Sequence, residues 1–123
     1  MAANEYVQAA ASQLQSAATA VKMEMDQIRA EFMTYERQVS HDISSKEADV
    51  RTNTARAAAE GDSSAIHYYG NQARQLKNEI DGMRKQVEDR RNQMNQDLRD
   101  KEGAMNDLMN QSRELQNKAA SLK

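Results

Sequence analysis

Apolar residues recur along the first third of this chain at alternating steps of three and four. Val7, Ala11, Leu14, Ala18, Val21, Met25, Ile28, Phe32, Tyr35 and Val39 keep the rhythm without a miss. It returns as Ile66, Tyr69, Ala73, Leu76, Ile80, Met83 and Val87, with Leu98 and Leu115 further along. An average spacing of 3.5 residues holds one narrow apolar stripe against a partner helix over many turns. The pattern therefore predicts long helices packed on helices. Within it, the seam is expected to be carried by Val7, Leu14, Val21, Ile28, Phe32, Val39, Leu76, Ile80, Met83, Val87, Leu98 and Leu115.

The stripe drifts in places. After Val39 come Ile43, Val50 and Ala57, so two four-residue steps follow one another. Spacings of eleven link Met83, Met94 and Met105, and also Val87, Leu98 and Met109. Eleven residues over three turns relaxes left-handed supercoiling. Polar residues fall on the seam in these stretches: Lys46, Arg90 or Arg91, and Lys101 or Glu102. Packing is expected to be weaker there. Gly70, Gly82 and Gly103 fall inside the second helical pattern and read as tolerated helix glycines, with Gly70-Asn71 the place where a bend would come first.

Near the midpoint the rhythm breaks at Glu60-Gly61-Asp62-Ser63-Ser64. Glycine suits the left-handed position that closes a helix. Asp62, Ser63 and Ser64 can each cap the next helix with a side-chain oxygen. A stop signal followed at once by a start signal implies a reversal, with Gly61, Asp62 and Ser63 as the turn residues. The expected organisation is a single domain over residues 1–123: helix 1 about 3–60, turn 61–64, helix 2 about 64–122. The fold class is all-α, a long antiparallel two-helix coiled-coil hairpin in which residue i faces roughly residue 123 − i. Two hairpins could join as a four-helix bundle.

Composition supports helix and narrows function. The 123 residues contain no Pro, no Cys and no Trp, and 38% are apolar, which argues against a round globular core. Ala supplies 19 residues and Asn plus Gln 21, which with abundant Glu, Lys and Arg favours helix over disorder given the periodicity. Charged residues reach 29% but nearly cancel, leaving a net charge of −2. Nucleic acid normally demands a basic face. The one basic stretch, from Arg74 to Arg91, is interleaved with Glu79, Asp81, Glu88 and Asp89 and reads as a solvated helix face.

The residues up to Val21 carry a single charge, Glu5, yet lack the basic start of a secretory leader, and Gln8, Gln13 and Gln15 interrupt any apolar run. No stretch approaches the length of a membrane span. The expected location is cytoplasmic, with leaderless export left open.

Chemistry is hard to place on this pattern. His41 and His67 fall in different arms, about 20 Å apart along the axis at helical rise, too far to share a metal. The carboxylates run beside basic residues at helical spacing, as in Glu47 with Arg51, Asp81 with Lys85 and Asp97 with Lys101, and read as surface i,i+4 pairs. No phosphate-binding glycine loop, nucleophile elbow or His-Glu-x-x-His occurs. The expectation is no catalytic, cofactor-binding or metal residue, no small-molecule substrate and no enzyme. Met23, Ala30, Met33, Tyr68 and Met109 add apolar surface off the seam, which points to a protein partner or to a homodimer.

Two resemblances accompany this reading. The run from Gly61 to Ala73 resembles the first helix of a tetratricopeptide repeat, where Gly-Asp precedes an Ala-Ile-x-Tyr-Tyr-x-x-Ala helix. The loop is one residue short, and a second copy and the closing Pro are missing, so the likeness extends to turn chemistry alone. In size, lack of Cys and hairpin pattern the chain is also similar to the helical-hairpin substrates of type VII secretion and their helical partners. Those carry Trp-x-Gly at the turn, where Glu60-Gly61-Asp62 stands here, and a Tyr-x-x-x-acid export tail, whereas Tyr6, Tyr35, Tyr68 and Tyr69 are followed four residues on by Ala10, Val39, Gln72 and Ala73. The function expected is a non-enzymatic coiled-coil scaffold, assembly factor or chaperone-like partner. The alternative is a leaderless secreted hairpin working as half of a complex.

Overall fold

The structure is a computed structural model that describes residues 2–122; Met1 and Lys123, the ends of the expected domain, lie outside the described residues. Two helices make up nearly all of it, α1 (Ala3–Glu60) and α2 (Ser63–Ser121). They pack against each other as an all-α helical hairpin, with no strand among the described residues. Neither helix is long and apolar enough to cross a membrane.

The reversal takes two residues. Gly61 adopts φ 67°, where a Cβ would meet the backbone carbonyl, and its N–H reaches the Ala57 carbonyl at 3.3 Å. Asp62 then caps α2: its Oδ1 accepts the Ala65 N–H at 2.7 Å, and its carbonyl accepts the Ile66 N–H at 3.0 Å. Of the three candidate caps it is Asp62 that acts, and Ser63 is already helical, one residue ahead of the expected start. Gly70, Gly82 and Gly103 lie within continuous α2, and no helix break accompanies Gly70-Asn71.

Two compact units are distinguished along the hairpin. One joins the chain ends, residues 1–31 with 93–123; the other is residues 32–92 and contains the turn. In the first, the tightest contact is made by small side chains. Ala11, Ser112 and Ala119 are each 1% exposed and Ala18 is 4%. The Ser112 hydroxyl donates to the Ala11 carbonyl of the opposite helix at 2.9 Å, so the two backbones approach closely at that level. Met25 completes this core. In the second unit the core is Phe32, Ala65, Ala73 and Ile80.

Candidate functional site: the interhelical seam

The residues expected to form the seam are all at least half-buried. In the first unit Val7, Leu14, Val21, Ile28, Leu98 and Leu115 are half-buried. In the second, Phe32 and Ile80 are buried while Val39, Leu76, Met83 and Val87 are half-buried. Two helices cover a side chain from one side only, so most seam residues keep their tips open at the flank, while Phe32 gains further cover from the Arg91 guanidinium beside its ring. One residue of the apolar rhythm falls elsewhere: Ile66 is 51% exposed, and its neighbour Ala65, at 7%, occupies the seam. Ala65 is also the residue whose N–H the Asp62 cap accepts.

The polar seam positions are bridged across the hairpin. In the second unit Lys46 Nζ reaches Glu79 at 2.9 Å, and Arg91 pairs with Glu36. Arg84 meets Glu47 at 3.7 Å. In the first unit Lys101 Nζ reaches Glu24 at 2.7 Å. Glu47 and Lys101 thus have partners on the facing helix, rather than the neighbours Arg51 and Asp97 that local spacing suggests. A long side chain rooted beside the seam can lay its methylenes along it and carry its charge to the far helix. The Glu79 hydrogen bond, and then the Glu79 charge, raise the Lys46 pKa above its usual value, with Asp42 and Asp49 adding to the effect and partial desolvation opposing it.

Aromatic rings are clamped by arginines in the second unit. The Arg90 guanidinium lies 3.8 Å from the centre of the Tyr35 ring, and Arg91 lies 5.6 Å from that of Phe32. Arg56 stands 5.9 Å over Tyr69, which Tyr68 meets edge-on at 5.1 Å. These contacts draw Arg90 and Arg91 from the basic stretch into interhelical packing.

Within each unit the pairings hold one register. Ala11 meets Ser112 in the first unit, and Phe32 meets Arg91 in the second. Open grooves flank the seam, one lined by Val50, Ile80 and the charged residues Glu47, Arg51, Lys77 and Arg84. His41 and His67 are exposed. Among the described residues, no three His, Cys, Asp or Glu side chains are grouped to hold a metal ion. Sequence reasoning missed Ser112 and Ala119 as core residues, since a serine inside a helix carries no signal of burial until its partner is known.

The exposed apolar side chains form a second feature. Tyr6, Met23, Met33, Ile66 and Tyr68 are more than half exposed, and Met109 is 44% exposed. Compared with protein-family models, curated proteins and solved structures, the chain finds no match in any of the three.

Proposed function

We propose that this chain is a non-enzymatic coiled-coil hairpin that serves as a scaffold, assembly factor or chaperone-like partner, presenting helix faces to another protein. The observation that carries this reading is the contrast between a seam whose residues are at least half-buried against each other and large apolar side chains left in water. Ion pairs and arginine–aromatic contacts bridge the polar gaps of the seam. Met23, Tyr6 and Tyr68 meanwhile stand 67%, 63% and 59% exposed. Large apolar side chains exposed on the outer face of a helix gain from being covered by another helix.

A capture experiment from the native source tests this. The wild-type chain and a variant carrying Met23→Glu, Met33→Glu and Tyr68→Glu are immobilised side by side. A defined protein retained by the wild type, including a further copy of the chain, and lost from the variant supports the reading. Equal retention by both, with the variant still helical, contradicts it.

A further inference from the structure

We propose that the outward face of α1 in the unit formed by the chain ends is a docking surface for the same face of a second copy, the two α1 helices running antiparallel. This rests on the scaffold reading and names its partner. The face is a row that begins at Tyr6, takes alternating steps of three and four residues, and ends at Ala30. It lies across the helix from the seam, and every position in it is exposed. None is charged, although Glu5, Lys22, Glu24, Asp26, Arg29 and Glu31 all lie on this stretch of α1. The outward row of α2 in the same unit is what a solvated face normally looks like, with Asp100, Asp107 and Glu114 at seven-residue intervals. The α1 row instead holds the two most exposed large apolar residues, Met23 at 67% and Tyr6 at 63%. A neutral face that carries a Tyr and a Met gains from being covered and has no charge to strand in the process.

Self-pairing is favoured by how the row matches itself. A twofold axis at the level of residue 18 sets Tyr6 opposite Ala30, Ala9 opposite Gln27, Gln13 opposite Met23 and Ser16 opposite Ala20 of the second copy. The largest side chain meets a small one, and two alanines and a serine let the backbones approach. The flanking charges agree with this direction. Glu24 comes opposite Ala10, Glu31 opposite Ala3 and Asp26 opposite Ser12, so no like charges meet. A parallel pair in register would bring Asp26 against Glu31 of the second copy, twice. The row and its flanks offer about sixteen residues on each copy, fewer than the roughly 20–30 of a standard interface, so the dimer is reversible.

The test is sedimentation equilibrium of the full chain, with Ala20→Glu and Asn110→Glu beside the wild type. Residues 20 and 110 are both exposed, one on the α1 row and one on the outward face of α2. The wild type forms a reversible dimer, Ala20→Glu weakens it by more than about tenfold, and Asn110→Glu leaves it unchanged, all three retaining their helicity. Direction is read by disulfide cross-linking, which is clean because the chain has no Cys. Ala17→Cys, beside the axis, cross-links to itself, whereas Tyr6→Cys cross-links only when mixed with Ala30→Cys. A monomeric wild type, a dimer indifferent to Ala20→Glu, or self-cross-linking of Tyr6→Cys overturns the proposal. A monomer whose hairpin is intact overturns this docking surface alone and leaves the scaffold reading to another partner. Loss of the hairpin overturns both.

Discussion

Replacing Ser112 by leucine tests the close approach of the helices near the chain ends, because it sets hydrophobicity against space. Leucine is an ordinary seam residue elsewhere in this chain, and on apolar content alone Ser112→Leu should stabilise. The geometry predicts the reverse. Ser112 is 1% exposed and its hydroxyl lies 2.9 Å from the Ala11 carbonyl, with Ala11 itself 1% exposed. A side chain two heavy atoms larger and branched cannot occupy that gap unless the helices separate, and overpacking of this kind costs about 1–3 kcal/mol. The lost hydrogen bond adds about 1 kcal/mol. Ser112→Ala isolates the second contribution, since it keeps the space and removes only the donor, while the Ala11 carbonyl retains its place in the α1 ladder. Thermal unfolding followed by circular dichroism at fixed protein concentration is the assay, where about 1 kcal/mol corresponds to roughly 4 °C for a domain of this size. Ser112→Leu should melt lowest, Ser112→Ala in between and the wild type highest. A Ser112→Leu protein that melts above the wild type would refute the close approach.

Other substitutions probe the seam, the turn and the ion pairs. Ile28→Asp places a charge on a half-buried seam position and should cost several kcal/mol (about 3 or more) in thermal melts, whereas Arg29→Asp, half exposed and 3.3 Å from Asp26, should cost only a few tenths through like-charge repulsion. Gly61→Val should destabilise by about 1–2 kcal/mol in urea unfolding, entirely through local backbone strain at φ 67°, because an added Cβ meets no atom within 4 Å outside residues 60–62; Gly61→Asn should cost less. Since the Lys46 pKa is raised on folding, its contribution is complete below the unfolded lysine value of about 10.4 and is lost as pH rises through the higher folded value. The melting difference between the wild type and Lys46→Met should therefore shrink as the pH rises above about 10.4, and a constant difference would contradict the pairing.

Much of the hairpin is legible in the sequence because its signals are local. The rhythm from Val7 to Val39 needs only helical geometry to become a seam, and Gly61-Asp62 needs only backbone sterics and a capping oxygen to become a turn. What was not legible depends on the facing helix. Ser112 and Ala119 carry no apolar signal that marks them as core, and it is the facing helix that encloses them, Ser112 against the Ala11 carbonyl. Glu47 and Lys101 have a plausible local partner four residues away, and only the register brings Arg84 and Glu24 within reach. Ile66 outweighs Ala65 in any count of apolar residues, yet Ala65 is the one that α1 encloses. Function was the least legible of all, because a helix face identifies a partner only through the chemistry of the surface that meets it.

The antiparallel pairing of the chain ends is the central structural claim, and one distance tests it directly. Residues 5 and 118 are exposed and sit in the same unit, on facing helices at the register of Ala11 and Ser112. Packed helices stand about 8–10 Å apart. Spin labels on these two residues, in a doubly labelled chain diluted with unlabelled protein so that only intrachain pairs are read, should therefore report a distance below about 30 Å once label arms are included. A distribution centred far beyond about 40 Å would mean one continuous helical rod, whose length at 1.5 Å per residue would far exceed that value, and would contradict the hairpin.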